Sequence, residues 1–162
     1  MAPETRHEAP LRLYETAVLP EWVDYNGHMS EAFYALIFGY TTDALLDYVG
    51  MNSAFREGSG LSVYTLESHI HYLREAAEAE PLYVNTHLLD LDHKRAHVFH
   101  SMHRTTDEEL LSTGEYMLMN VDSSAPKSAP FDEKVRERLQ SIRRAHEALD
   151  TPEQAGSFIG IG

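Results

Sequence analysis

A long helical segment followed by four alternating segments on short connections is the pattern that most restricts the fold of this chain. Ser30 predicts a helix N-cap, Glu31 follows in the first turn, and Gly50 predicts the end of the helix. Apolar residues recur between them at helical spacing, namely Phe33, Leu36, Ile37, Tyr40, Ala44, Leu45 and Tyr48. We therefore predict a long amphipathic helix that buries one face.

Period-two alternation predicts strands on both sides of this helix. A first strand covers residues 11–18, and residues 52–60 form a loop rich in glycine and serine. In the next strand, one predicted face carries Tyr64, Leu66, Ser68, Ile70 and Tyr72, and the other carries Thr65, Glu67, His69 and His71. Three more strands follow at residues 82–91, 95–104 and 110–121. Their short turns predict an antiparallel meander.

The element order predicts an α+β fold with the long helix packed on an antiparallel sheet. A second amphipathic helix is predicted over residues 132–149, with an apolar face of Val135, Leu139, Ile142 and Leu149. We expect a flexible tail at residues 1–10, a single domain at 11–150 and a C-terminal tail at 151–162. The uncovered sheet edge predicts a partner subunit, as a homodimer or homotetramer.

Charge and composition exclude several classes of function. The formal net charge of −13 argues against nucleic-acid binding, which needs a basic surface. The chain has no cysteine, so disulfides and thiolate chemistry are excluded. No apolar run approaches the roughly 20 residues of a membrane helix, and no secretion signal is recognisable at the N-terminus. We therefore expect a cytoplasmic protein.

The loop before the long helix carries the most suggestive side chains. Asp24 and His28 lie on an irregular segment at the positive end of the helix, where backbone N–H groups can hold an anion or a developing oxyanion. The structural alternative is that residues 24–27 form an ordinary turn, with Asn26 in a left-handed conformation. His28 could equally orient the acid or bond to the loop backbone.

This loop, together with the helix and strands around it, resembles the hot-dog-fold acyl-CoA thioesterases of the 4-hydroxybenzoyl-CoA thioesterase type. The family pattern Asp-x-x-Gly-His-(hydrophobic)-Asn-Asn-x-x-Tyr matches at Asp24, Gly27, His28, Met29 and Tyr34. Ser30-Glu31 replaces the two asparagines. The resemblance covers about residues 11–121 and implies a hot-dog fold and thioester hydrolysis without a cofactor beyond the coenzyme A of the substrate.

The resemblance implies that Asp24 acts as general base or nucleophile, and we predict that His28 and Asn26 take part beside it. The backbone of Gly27 and Met29 would receive the thioester oxygen. The residues predicted to bind substrate are Trp22, Tyr25, Glu31, Tyr34 and Glu67. Arg74, Lys94 and Arg95 are predicted to bind the coenzyme A phosphates.

Residues 22–29, 64–74 and 114–120 are further similar to the thioesterases associated with carnitine dehydrogenase, which hydrolyse betainyl-CoA. This likeness implies a role in carnitine catabolism, with carnitine dehydrogenase as a possible pathway partner. Aromatic side chains near the loop would hold the quaternary ammonium group by cation–π attraction.

Three alternatives remain at this stage. A hot-dog hydratase or dehydratase would keep the fold, but its His-Phe-Pro type of loop is absent. A non-catalytic acyl-CoA binder would keep the ligand. A metal-binding protein is suggested by 10 histidines, with His69 and His71 on one strand face and His87, His97 or His103 as possible further ligands.

Overall fold

The computed structural model describes residues 5–162. The strands are β1 (Leu11–Ala17), β2 (Leu61–Tyr72), β3 (Pro81–Leu91), β4 (Arg95–Arg104), β5 (Leu110–Asp122) and the short β6 (Lys127–Ser128). The helices are α1 (Glu31–Tyr48), α2 (Ser53–Ser59) and α3 (Glu133–His146), with a 3-10 turn at Pro20–Trp22. The predicted flexible tail falls partly on residues 1–4, which lie outside the described residues.

All six strands form one antiparallel sheet, and its order corrects the predicted meander. The order is β1-β3-β4-β5-β2, with β6 beside β5. Only β3, β4 and β5 follow one another as a meander, because β2 pairs with β5 at the far edge. Residues 73–80 cross from that edge to β3. The α+β class is confirmed, and β1 and β2 are the sheet edges.

The buried side of α1 differs from the predicted one. Its buried residues are Tyr34, Ile37, Phe38, Thr41 and Leu45. Tyr40 and Tyr48 were assigned to the apolar face but are about two-fifths exposed. The helix carries apolar residues around most of its circumference, so spacing alone does not determine which stripe meets the sheet.

Two local features explain further departures from the predicted elements. The predicted loop at residues 52–60 contains α2, because the Asn52 side chain accepts the Phe55 N–H at 2.9 Å and Gly60 ends the helix at φ 72°. In β2, a bulge between Thr65 and Glu67 inserts one extra residue. The bulge reverses the alternation, so Thr65 shares a sheet face with Ser68 and Ile70 rather than with Glu67.

Helix α3 ends at His146, earlier than predicted. Val135, Leu139 and Ile142 are buried as expected, whereas Leu149 lies beyond the helix and is only half-buried. The His146 imidazole accepts the Leu88 N–H through Nδ1 and bonds to the Glu8 carbonyl through Nε2. This side chain therefore joins the end of α3 to β3 and to the segment before β1.

A buried histidine lies between α1 and the sheet. His100 is fully buried, its ring stacks on Phe38, and its nitrogens lie 3.0 Å from the Thr42 and Thr86 hydroxyl oxygens. Burial lowers the pKa of His100 to about 3. The imidazole is therefore neutral in the folded protein at neutral pH.

We expect the free energy of unfolding to fall as the pH drops from about 6.5 towards 3. The unfolded chain protonates His100 near its ordinary pKa of about 6.5, while the folded chain resists protonation until the pKa of about 3. Urea titrations across this range should show a His100 contribution of up to about 1.4 kcal/mol per pH unit. The slope should decrease in His100→Gln but persist in Thr86→Val, which loses one hydrogen bond and keeps the imidazole. Equal slopes in the parent and His100→Gln would contradict this expectation.

Candidate active site

Residues 23–29 form a tight loop directly before α1. Val23 and Met29 pair as an isolated bridge, and Gly27 adopts φ 82°, a conformation that favours glycine. The Asp24 N–H donates to the His28 carbonyl at 3.1 Å, and the Gly27 N–H donates to the Asp24 carbonyl at 3.0 Å. The loop therefore has a defined shape that its own backbone hydrogen bonds maintain.

The loop is attached to the crossover formed by residues 73–80. The Met29 N–H donates to the Ala76 carbonyl at 2.8 Å, and His28 pairs with Ala77 as a second isolated bridge. The His28 Nε2 also lies 3.2 Å from a carboxylate oxygen of Glu75. His28 thus connects the loop to the crossover, and among residues 5–162 its imidazole forms an ion pair with Glu75 but no hydrogen bond or ion pair with the Asp24 carboxylate.

The Asp24 carboxylate is half-buried and has one hydrogen-bond partner in the described chain. Its Oδ1 accepts the Asn26 backbone N–H at 2.8 Å, which closes an Asx turn. Asn26 therefore takes part through its backbone, and its side chain is exposed. The other carboxylate oxygen of Asp24 accepts no hydrogen bond from the described residues, so it can accept one from water or from a ligand.

The backbone donors near Asp24 differ from those predicted. The N–H groups of Gly27 and Met29 both donate to carbonyls within the chain, as described above. The first N–H groups of α1, at Glu31 and Ala32, have no intrahelical acceptor, and the Ser30 side chain makes no capping hydrogen bond. The N–H groups at the helix start are consequently more available to a developing oxyanion than those of Gly27 and Met29.

The aromatic residues around the loop are not equally available to a ligand. Trp22 was predicted to bind substrate, but it is only 7% exposed and stacks on Phe33 at 5.8 Å, so its ring is part of the core. Tyr25 lies at the loop tip and is 97% exposed. Tyr34 is buried and its hydroxyl donates to the Arg74 carbonyl at 3.4 Å. Burial is the main reason why the pKa of Tyr34 is raised.

A cleft of about 290 Å³ opens beside the start of α1. It brings together four of the predicted residues, Met29, Glu31, Tyr34 and Arg74, with Tyr72 and Glu75. The Arg74 guanidinium is exposed and lies 3.4 Å from a carboxylate oxygen of Glu109. Arg74 is therefore the predicted coenzyme A contact that the fold places near the helix start.

The other predicted contacts lie elsewhere in the chain. Lys94 and Arg95 occupy the β3–β4 turn, at the opposite end of β3 from the crossover, which is about 33 Å away for a strand of this length. Arg95 is paired with Asp92 at 2.7 Å, and Lys94 lies 3.3 Å from the Ser128 hydroxyl. Glu67 is on the outer face of β2 and lines a different cavity. The fold of one chain does not bring these three residues to the loop.

A second groove, which the sequence reasoning missed, runs along the flank of α1 that faces β2. This α1 groove has a volume of about 360 Å³, and its lining includes Leu36, Gly39, Tyr40, Asp43, Thr65 and Tyr116. Asp43 is exposed and forms no ion pair with the described residues. The sequence did contain a signal for this groove, because Asp43 lies one helical turn after Tyr40 in a helix that is otherwise apolar. The groove combines aromatic rings with an unpaired carboxylate.

The histidines do not assemble a metal site. His69 and His71 stack with their ring centroids 4.5 Å apart, but the described residues contain no group of three or more histidine, aspartate or glutamate side chains placed to hold a metal ion. Likewise, none of the helices in the described part of the chain is long and apolar enough to span a membrane.

One long helix packed on an antiparallel sheet of order β1-β3-β4-β5-β2 is the architecture of the hot-dog thioesterases. Residues 18–139 match the family model described as the thioesterase-like superfamily. The chain belongs to that superfamily, and the predicted family, hot-dog fold and thioester hydrolase class are thereby confirmed.

Individual relatives are similar over nearly the whole chain. A betainyl-CoA thioesterase of Pseudomonas aeruginosa is 45% identical over 151 residues, which cover 93% of this chain and 95% of the relative. An L-carnitine dehydrogenase/betainyl-CoA thioesterase of Rhizobium meliloti is 43% identical over 93% of this chain, but the match covers 30% of that longer protein. A Staphylococcus aureus protein solved in complex with CoA superposes with a TM-score of 0.89 at 27% identity, covering 98% of this chain and 100% of that chain.

Proposed function

We propose that this protein hydrolyses betainyl-CoA to glycine betaine and free coenzyme A. The observation that carries the proposal is the near full-length similarity to the betainyl-CoA thioesterase of Pseudomonas aeruginosa. The loop before α1 supports it, because it carries a half-buried carboxylate, and the helix that follows begins with N–H groups that have no intrahelical acceptor. No cofactor is needed for this reaction, since coenzyme A is part of the substrate.

In the proposed mechanism, Asp24 activates the attack on the thioester carbonyl carbon. As general base, its carboxylate takes a proton from water while the water oxygen bonds to carbon. As nucleophile, it forms an anhydride that water then opens. In both routes the carbonyl oxygen becomes negative and is stabilised by the N–H groups at the start of α1. The carbon–sulfur bond then breaks, and the coenzyme A thiolate leaves and is protonated.

The proposed acyl group is a cation, which suits the charge of the protein. The net charge is −13, and the α1 groove adds Asp43 beside the rings of Tyr40 and Tyr116. A quaternary ammonium group is attracted to aromatic faces and to an unpaired carboxylate. The α1 groove replaces Trp22 in this role, because the Trp22 ring is buried against Phe33. Tyr25 keeps an exposed ring at the loop tip.

A panel of acyl-CoA thioesters tests the proposed substrate directly. We expect betainyl-CoA to give the highest kcat/KM in an assay of free thiol release, above acetyl-CoA and above aromatic and long-chain thioesters. Acetyl-CoA is the matched control because it lacks only the trimethylammonium group. A preference for aromatic or long-chain thioesters would contradict the substrate while leaving the thioesterase class intact.

Replacing Asp43 by asparagine tests the groove. We expect kcat/KM for betainyl-CoA to fall about tenfold, which corresponds to about 1.4 kcal/mol, while kcat/KM for acetyl-CoA stays unchanged. The reason is that the substitution removes the charge and keeps the side-chain shape. Asp47→Asn, which changes an exposed acid of the same helix outside the groove, serves as control. Equal losses with both substrates would show that Asp43 does not recognise the cation.

The proposal includes a homodimer formed through the β2 edge. β2 is an edge strand, and its side chains Tyr64, Leu66 and Tyr72 are 46%, 52% and 50% exposed. Pairing with a second copy would satisfy that edge. It would also offer Lys94 and Arg95 of a second chain as candidate contacts for the phosphates, beside Arg74. A homotetramer would require a further interface between two such dimers.

The proposed cellular setting follows from the proposed substrate. Relatives that join L-carnitine dehydrogenase and betainyl-CoA thioesterase in one chain support carnitine dehydrogenase as a pathway partner. A coenzyme A thioester as substrate supports the cytoplasm as the place of action.

A further inference from the structure

The C-terminal segment crosses the outer face of the sheet, which is the face opposite α1. The Gly156 N–H donates to both carboxylate oxygens of Glu115 on β5, at 2.9 and 3.2 Å. One step further, the Ser157 hydroxyl lies 3.2 Å from the His71 Nε2 on β2. Glu115 is itself held by His97 at 2.7 Å. The segment is therefore fixed first over β5 and then over the edge strand β2.

The residues after this anchor are apolar and almost fully exposed, and Phe158 borders a cavity lined by Glu67 and His69. Phe158, Ile159 and Ile161 are 95%, 94% and 110% exposed. A run of large apolar side chains held in water is unfavourable, and such patches mark interaction surfaces. The anchors run from β5 to β2, so the segment is directed towards the open edge of the sheet.

The edge strand is polar where the segment crosses it, at Glu67, His69 and His71, and apolar further along the strand. Tyr64 and Leu66 of β2 are each about half exposed, and the bulge beside them interrupts the strand. Two-fold pairing of two β2 edges would bring the outer sheet face of a second copy next to residues 158–162. By symmetry, each segment would then reach the other chain.

We infer that residues 158–162 form an arm that packs on the outer sheet face of a second copy of this chain, next to its β2 strand. We assign the contact to a second copy because the hydrogen bonds of Gly156 and Ser157 direct the arm towards the β2 edge. That edge is where the proposed homodimer pairs. The inference rests on the proposed homodimer and adds to it a reciprocal contact made by Phe158, Ile159 and Ile161. In this inference, the hydrogen bonds of Gly156 and Ser157 set the direction in which the arm leaves its own chain.

Cysteine cross-linking tests the arm, because the chain contains no cysteine of its own. Ile159→Cys and Leu66→Cys are made as separate single variants, mixed so that subunits can exchange, and oxidised. On non-reducing gels, we expect a disulfide between the Ile159→Cys and Leu66→Cys chains. Leu19→Cys, at another exposed apolar site, replaces Leu66→Cys as the control and should form no disulfide with Ile159→Cys. An arm that folds back on its own chain would instead give an internal disulfide in the double variant Leu66→Cys/Ile159→Cys and no mixed pair, which would overturn the inference.

Deleting residues 158–162 tests the contribution of the arm to assembly. We expect sedimentation equilibrium to show a dimer dissociation constant raised at least tenfold, with an unchanged circular dichroism spectrum. Gly160→Ser keeps all three apolar side chains and should leave the constant unchanged. An unchanged constant in the deletion variant would overturn the arm.

The same measurements separate failure of the arm from failure of the proposed function. A dimer with full thioesterase activity and an unchanged dissociation constant after deletion would refute only the arm. A parent protein that is monomeric at every concentration would refute both the homodimer and the arm. Absence of thioesterase activity alongside a positive cross-link would refute the proposed function and keep the arm.

Discussion

Asp24→Asn is expected to lower kcat for betainyl-CoA hydrolysis by about 10²- to 10⁴-fold, which is the usual contribution of a positioned base. The amide can no longer take a proton from water or attack the carbonyl carbon. Its oxygen can still accept the Asn26 N–H, which the carboxylate accepts at 2.8 Å, so the loop should keep its shape. Thiol release and the melting temperature are measured on the same preparation, and only the first should change.

Asp47→Asn provides the matched control for this loss, because it makes the same chemical change at an exposed position of α1. A variant of Asp24 with nearly parental kcat would refute the catalytic assignment. Label found in Asp24 after a single turnover in ¹⁸O-labelled water would show that Asp24 acts as nucleophile. A general base directs the label into the released acid, whereas a nucleophile whose anhydride opens at the enzyme carbonyl acquires the label in Asp24.

Phe38→Ala is expected to lower the free energy of unfolding by about 3–5 kcal/mol. Phe38 is fully buried in α1, and its ring stacks on His100 and meets Tyr116 edge to face. Removing the ring leaves a cavity between the helix and the sheet. Urea denaturation measures the loss, and Phe55→Ala, which truncates a half-buried phenylalanine in α2, should cost less. A loss equal to that of Phe55→Ala would contradict the central position of Phe38.

Gly114 shows how closely Phe38 fits the sheet. A methyl group at Gly114 would lie 2.8 Å from both the Phe38 and the Tyr116 rings, so Gly114→Ala should cost about 1–3 kcal/mol. Part of that cost should disappear in the Phe38→Ala background, because one of the two clashing rings is gone. A double-mutant cycle in urea measures this coupling, and strictly additive losses would contradict it.

The elements of this fold could be predicted from the sequence largely because their signals are local. Alternation with short turns predicted β3, β4 and β5 to within a residue or two, and the short turn implied between residues 91 and 95 is present. Gly27 and Asp24 predicted a turn at the helix start, and the structure has one. Each of these features depends on neighbouring residues only.

Features that depend on distant parts of the chain could not be predicted in this way. The pairing of β2 with β5 is a choice between sheet edges, which alternation does not encode. The bulge at Leu66 reverses the faces of β2 without any glycine or proline to signal it. Thr41 is buried because its hydroxyl donates to the Ile37 carbonyl at 2.9 Å, which lets a polar residue join the apolar stripe of α1.

The candidate site was predicted in its loop but not in its surroundings. Asp24 and Glu31 are close in sequence, so the helix start could be recognised directly. Arg74 reaches the same cleft only because the crossover returns beneath the loop, whereas Lys94 is carried to the other end of β3. Asp43 was missed because nothing in its local sequence distinguishes it from an ordinary exposed acid. Only the packing of α1 against β2 and β5 forms the α1 groove around it.

The way the loop is held has a consequence for how enzymes of this kind can diversify. Residues 23–29 keep their shape through main-chain hydrogen bonds to one another and to Ala76, so the side chains that line the α1 groove take no part in holding them. If the α1 groove holds the acyl group as proposed, mutations in it should alter which acyl group is accepted without disturbing the hydrolytic step. The proposed assignments thus predict that substrate range and catalytic chemistry can change independently in this architecture.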